Sequence, residues 1–271
     1  MRDIHCHILP GVDDGAANLE QSLAMLEAAR AVGVTHMVCT PHCRDPYFDF
    51  EKMWEAYRLL CAHAGDMHLQ MGFEVNHAKL MDLGIEWADR LHFDGSNEFL
   101  LELSTRADSY DFEEYENTIY DLQCRGYQVI IAHPERYRAI QKDVSVAERL
   151  VDLGCKLQAS ADFIAGGRFG REKKPAQRLF KQGLYSYIAS DAHNVGPTIA
   201  WQKHARSLAW ELIFAKIFPQ RSHRMKGLLW ISNLRRVALR TRRWCAAPFL
   251  WTNRATKTSL TLSMRRRLAS M

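Results

Sequence analysis

The segment Asp3-Ile4-His5-Cys6-His7-Ile8-Leu9-Pro10-Gly11-Val12-Asp13-Asp14-Gly15 constrains this chain more than any other. It reads as a strand over residues 3–9 that carries two histidines and runs into a glycine-flanked acidic turn. At the two-residue period of a strand, His5 and His7 point to one face. Asp14 follows seven residues after His7. Imidazole with carboxylate suits a borderline divalent cation such as Zn²⁺, Mn²⁺ or Fe²⁺. Paired strand histidines also occur as merely hydrogen-bonded groups, so the reading turns on whether other ligands reach the same place.

Downstream, strand-like and helix-like stretches alternate. A helix is expected from Asn18, an N-cap with Gln21 three residues on and Leu19, Leu23 and Leu26 on one face, up to Gly33. Further helices are expected over 50–64, 78–90, 112–125, 144–153 and 174–182. Strands are expected over 35–40, 68–75, 98–104, 127–132, 155–161 and 184–189. With the first strand that makes seven, separated by helical segments, which implies parallel pairing. Seven such units suggest an α/β fold of the (β/α) barrel kind. No G-x-G-x-x-G follows the first strand, which argues against a dinucleotide site.

In such a barrel the site sits at the C-terminal ends of the strands. The polar residues found there are His5, His7 and Asp14 after strand one, His42 after two, Glu74 in three, Glu102 in four, His133 after five, and Asp191 and His193 after seven. Five of the twelve histidines and four carboxylates thus follow apolar runs, which chance placement would not achieve. Nine ligands exceed the needs of one ion and suit two or three, with carboxylates such as Glu74 bridging. The other histidines (36, 63, 68, 77, 92, 204 and 223) read as surface or packing residues.

The net charge of +5 hides two opposite parts. Residues 1–193 hold 20 Lys and Arg against 30 Asp and Glu; residues 194–271 hold 16 against one, Glu211, together with five of the seven tryptophans. The seven cysteines form no C-x-x-C pair, and a reducing cytoplasmic setting is expected. No secretory leader is expected before the first strand, and no 18-residue apolar run occurs in the sequence. No cysteine is followed six residues later by arginine, which excludes the cysteine-dependent tyrosine phosphatase arrangement.

Together, His5-Cys6-His7, Val12-Asp13-Asp14-Gly15, Thr40-Pro41-His42, Gly72-Phe73-Glu74, Leu101-Glu102, Ile131-Ala132-His133-Pro134-Glu135-Arg136 and Ala189-Ser190-Asp191-Ala192-His193-Asn194 resemble the PHP (polymerase and histidinol phosphatase) superfamily. The sequence is most similar to its bacterial manganese-dependent protein-tyrosine phosphatases of capsule and exopolysaccharide synthesis. The resemblance covers residues 1 to about 195. It implies a distorted seven-unit PHP barrel and a cytoplasmic hydrolase with two to three ions per chain, Mn²⁺ first and Fe or Zn as alternatives. His5, His7, Glu74 and Asp191 would hold one ion, Glu74, Glu102 and His133 a second, and Asp14, His42 and His193 a third. Arg136 matches a family arginine that binds the substrate phosphate. A hydroxide bridging two ions would attack phosphotyrosine, the implied partner being the tyrosine-rich tail of a bacterial autokinase. The alternatives are a PHP phosphoesterase acting on a small molecule such as histidinol phosphate, and an inactive relic.

The resemblance stops near residue 195. The family continues with a basic loop, supplying a second phosphate contact, and a helix that closes the barrel; here Gly196-Pro197-Thr198-Ile199 leads into a divergent basic tail over 196–271. Incomplete barrel closure is one expected consequence. The tail reads as a frameshifted or non-homologous end, as a basic segment near 228–251 that contacts anionic membrane through Trp230, Trp244, Trp251 and nearby arginines, or as a solvated disordered extension. Nucleic-acid binding is weighed through the same arginines and is not expected.

Overall fold

Two breaks in the apolar runs, at Pro41 and at Gly72, turn the seven expected strands into nine. The computed structural model describes residues 1–108, 112–161 and 171–196. The strands are β1 (Arg2–Cys6), β2 (His36–Cys39), β3 (His42–Cys43), β4 (His68–Met71), β5 (Glu74–Asn76), β6 (Glu98–Glu102), β7 (Gln128–Ala132), β8 (Lys156–Ser160) and β9 (Tyr185–Ala189). The helices are α1 (Leu19–Ala31), α2 (Phe50–Cys61), α3 (His77–Leu83), α4 (Ala88–Leu91), α5 (Phe112–Cys124), α6 (Arg138–Lys142), α7 (Ser145–Asp152) and α8 (Lys173–Lys181). The tail readings, His204 and His223 lie outside the described residues.

The strands form two sheets, β1-β2-β4 and β3-β5-β6-β7-β8-β9, with every pair parallel. Pro41 has no N–H to extend the first ladder, so β2 ends before it and β3 begins in the second sheet. Gly72 marks the same crossing for the next unit. Its N–H donates to Cys39 O at 2.9 Å, while Glu74 N–H donates to Pro41 O at 3.2 Å. A Cβ on Gly72 would stand 2.5 Å from the Phe93 ring and 2.9 Å from Val38 Cγ1, so only glycine fits this close approach. The first strand also meets the end of the other sheet. Cys6 bridges Ala192, Asp191 N–H donates to His5 O at 2.8 Å, and His7 N–H donates to Ala192 O at 2.9 Å.

The sheet residues alternate between two apolar layers. Ile4, Val38, Leu100, Ile130, Ala132 and Ala189, from strands of both sheets, form one buried cluster with Phe93 from the segment before β6. Phe99, Leu101, Val129 and Ile131 point the other way and pack with helix residues such as Leu26, Leu60, Ile119 and Leu150. Each large aliphatic side chain so buried contributes about 1.5–3 kcal/mol. At period two, Glu102 falls on the same side as Leu100, one step nearer the strand end.

Two helical expectations change. The helix expected over 78–90 is interrupted at Gly84, whose φ of 94° and ψ of 146° leave the helical region, and a 3₁₀ turn (Ile85–Trp87) joins α3 to α4. The short α6, unforeseen in the sequence, follows the 3₁₀ turn Pro134–Arg136. At α1 the expected cap is present: Asn18 Oδ1 accepts from Gln21 N–H at 3.0 Å, and Gln21 Oε1 accepts from Ala17 N–H at 3.0 Å.

Candidate metal centre

The first strand ends at Cys6, so His7 lies just beyond it rather than within it as expected. The pairing of β1 with β2 also slips: Asp3 aligns with Met37 but Cys6 with Cys39. Three steps on β1 therefore span two on β2, which is a β-bulge. The extra residue lets Ile4 join the apolar layer while the adjacent His5 enters the polar end. His5 and His7 meet, Nε2 to Nε2, at 3.2 Å, and both are fully buried.

Glu74 is the hub. Its carboxylate lies 2.7 Å from His133 Nε2, 2.7 Å from His42 Nδ1, 3.4 Å from His7 Nε2 and 3.5 Å from His5 Nε2. Asp191 Oδ1 is 3.4 Å from both His5 Nε2 and His7 Nε2. Glu102 Oε1 is 3.9 Å from His133 Nε2. At the more exposed mouth, Asp14 Oδ1 lies 3.1 Å from His42 Nε2 and 3.4 Å from His193 Nε2. All nine expected ligands thus come together. His36, His63 and His68 are exposed, His92 is half-buried, and buried His77 bonds Thr118 Oγ1 at 2.9 Å, all as packing or surface groups.

Three groupings bring ligand atoms within 4.8 Å of one another: His5, His7 and Glu74; His42, Glu74 and Glu102; and His7, Asp14, His42 and His193. They differ from the expected partition in sharing and in membership, since Asp191 and His133 fall in none of them. His42 faces both the mouth and the Glu74–Glu102 pair, and His7 belongs to two groups. The donor chemistry fits divalent cations. Buried His42 Nδ1, Glu74 Oε2 and His133 Nδ1 have no hydrogen bond, although His42 Nδ1 and Glu74 Oε2 are 2.7 Å apart. Buried polar atoms are seldom left so, and a cation would satisfy the lone pairs.

Protonation follows the crowding. Burial pushes His5 down, but the charges of Glu74 and Asp191 outweigh it and raise it to about 9. Burial likewise opposes the charged form of His42, while Glu74 and the Asp14 hydrogen bond raise it to about 10. Burial raises Glu74, yet the charges of His5 and His42 hold it well below the usual carboxylate range. Asp191 is held low against burial by Arg136 and His5.

Supporting groups fix the ring orientations. His5 Nδ1 is 2.9 Å from Gln158 Oε1, and His7 Nδ1 is 2.8 Å from Asp13 Oδ2, which leaves each Nε2 facing the cluster. Asp13 also accepts from Gly15 N–H at 3.0 Å and His42 N–H at 3.1 Å. Gly15 is obligatory there, since a Cβ would collide with the His7 carbonyl oxygen and stand 2.6 Å from His7 Cβ. Two of the candidate ligands sit in the left-handed region although neither is glycine: His133 at φ 30° and Asp191 at φ 48°. Such strain persists only where the surroundings over-determine it. Around His133, Tyr137 OH donates to Ala132 O at 2.6 Å and accepts from Leu103 N–H at 3.0 Å, tying β6 to β7. Glu135 Oε1 accepts from Ser160 N–H at 2.8 Å, and its Oε2 accepts from Tyr185 OH at 2.8 Å. Around Asp191, Asp3 Oδ1 accepts from Ser190 N–H at 3.0 Å.

Arg136 sits differently from a guanidinium reserved for substrate. Its Nη2 is 2.6 Å from Asp191 Oδ2 and 3.3 Å from Ser160 Oγ. It therefore holds a cluster carboxylate as well as standing at the cluster's edge. Asp13, Gln158 and Glu135 were not singled out in the sequence. The paired aspartates and the His-Pro-Glu-Arg box carried a signal for two of them; Gln158, in a plain apolar strand, carried none.

Parallel strands whose C-terminal ends converge on a buried histidine–carboxylate cluster define an α/β protein built to hold divalent cations. Over residues 1–201 the chain matches the family model for capsular polysaccharide synthesis, CpsB/CapC, and it belongs to that family. It is 32% identical over 206 residues to the tyrosine-protein phosphatase YwqE of Bacillus subtilis (strain 168), covering 72% of this chain and 78% of that one. It is 28% identical over 206 residues to the tyrosine-protein phosphatase CpsB of Streptococcus pneumoniae, covering 72% and 84%. A solved chain reported with YwqE from B. subtilis and CpsB from S. pneumoniae, described as unique metal-dependent tyrosine phosphatases, superposes with a TM-score of 0.66 at 29% identity, covering 82% of this chain and 89% of that one.

Proposed function

We propose that this protein is a metal-dependent hydrolase of protein phosphotyrosine, acting in the cytoplasm in capsular or exopolysaccharide synthesis. The observation that carries the reading is the convergence of nine strand-end His, Asp and Glu side chains around buried Glu74. The family and the names of the relatives support the substrate class. The two sheets are read as one distorted seven-unit barrel, joined where Cys6 bridges Ala192.

His5, His7, Glu74 and Asp191 would hold one ion; Glu74, Glu102 and His133, with His42 in reach, a second; Asp14, His42 and His193 a third. Mn²⁺ is the ion we favour, with Fe or Zn as alternatives. Ions bound there supply Lewis acidity and an activated water near neutral pH. The chain's own part is to orient and neutralise. Asp13 and Gln158 hold two imidazoles with Nε2 inward. Arg136, anchored on Asp191, presents a planar cation suited to phosphate oxygens. Phenoxide is a fair leaving group, so little help from a side-chain acid is needed. The tyrosine-rich tail of a bacterial autokinase is the substrate we favour.

The test compares turnover of a phosphotyrosine peptide with that of histidinol phosphate, with Mn²⁺ added to chelator-stripped protein. Mn²⁺-dependent hydrolysis that favours the peptide is expected. Equal or better histidinol phosphate turnover would overturn the substrate class.

A further inference from the structure

Arg44 is a cation two residues past His42. Its Nη2 lies 2.8 Å from His42 Nε2 and 3.5 Å from Asp14 Oδ2. Its Nε is buried and has no hydrogen bond. The side chain is 36% exposed, so solvent and substrate reach it. Tyr47 fixes its place: the ring lies 5.5 Å from the guanidinium carbon and stacks on His42 at 5.9 Å and 20°. Beside it runs a groove of about 320 Å³ lined by Arg44, Asp45, Asn76 and Lys79 among others. Asn76 Nδ2 donates to Glu102 Oε2 at 3.3 Å, so this groove abuts the cluster.

Arg44 Nη2 stands directly in front of His42 Nε2 and close to the Asp14 carboxylate. The His42 Nε2 lone pair, exposed once the ring is neutral, and the Asp14 carboxylate are what a cation in the mouth group requires. Guanidinium and metal ion cannot share them, and two like charges at that separation repel. When the mouth group holds an ion, Arg44 must give up His42, while Tyr47 keeps the guanidinium close by through a cation–π contact.

We propose that Arg44 is a second phosphate-binding residue, releasing His42 when the mouth group fills and donating to a phosphate oxygen. The role rests on the phosphatase reading above. The test uses the full chain, metal-loaded, as parent, Arg44→Met and Arg44→Lys. Calorimetry reads binding of inorganic phosphate, mass spectrometry reads bound metal, and turnover of a phosphotyrosine peptide gives KM and kcat. Expected for Arg44→Met are a loss of phosphate affinity of about 10- to 100-fold, a raised KM and unchanged metal content, with Arg44→Lys recovering part of the affinity. Phosphate affinity equal to the parent's would overturn the role, and so would a loss that tracks loss of metal. A parent chain without metal-dependent turnover would sink the phosphatase reading instead, which separates the two failures.

Discussion

Asp13 Oδ2 lies 2.8 Å from His7 Nδ1, whereas its neighbour Asp14 faces His42 and His193. Adjacent carboxylates thus stand differently: one orients the His7 imidazole and the other faces two imidazoles as a candidate ligand. Such orienting carboxylates typically change metal affinity by about 10- to 100-fold when removed. Asp13→Asn should therefore weaken metal binding within that range and leave the fold intact, whereas Asp14→Asn should remove binding at the mouth selectively. Metal retained after dialysis, measured per chain for both variants, checks this.

Metal binding should release protons. In the metal-free chain His5, raised to about 9, and His42, raised to about 10, are charged at pH 7 because Glu74 and its fellow carboxylates hold them so. A metal ligand must be a neutral imidazole, so apparent affinity should rise with pH and level off above about 10. Calorimetry at pH 7 in buffers of differing ionisation enthalpy should show net proton release. Proton uptake would contradict the assignment.

The same shifts set the sign for the metal-free fold. Groups raised above their usual imidazole value stabilise the folded state fully below about 6.5, and that contribution is lost as pH rises through about 9–10. Glu74 and Asp191, held low, contribute stability that is lost as pH falls through their depressed folded-state values. Denaturant titrations of chelator-stripped protein should show lower stability at pH 10 than at pH 7.

Glu135 is buried with both carboxylate oxygens taken, by Ser160 N–H and Tyr185 OH. Glu135→Ala would orphan two buried donors beside His133 and Arg136. We expect a loss of about 2–5 kcal/mol for it and about 1 kcal/mol for Tyr185→Phe. Chemical denaturation midpoints measure both.

Much of the site was legible because most of its residues follow an apolar run, and a parallel α/β topology puts all such ends on one side. His42 after Pro41, His133 before Pro134 and Asp191 after Ser190 could be placed without coordinates. The division of labour could not be read this way. Whether Asp13 or Asp14 points inward depends on a turn that closes on Gly15, and His42's double allegiance depends on β3 changing sheets after Pro41. The strand breaks were hidden for a related reason. Gly72 sits inside an apolar run, and only the approach of Phe93 and Val38, distant in sequence, shows why it is there. Arg136's grip on Asp191 spans two separate strand ends and leaves no local trace.

Glu74, shared by two of the three candidate groupings, is placed to join them into one polynuclear centre. Metal content per chain, measured after exhaustive dialysis of Mn²⁺-loaded protein for the parent and for Glu74→Gln, tests it most directly. Two to three ions are expected for the parent, with loss of most of them in Glu74→Gln, because one carboxylate contacts four imidazoles. A parent that retains no metal, or a Glu74→Gln variant that retains the parent's full complement, would contradict it.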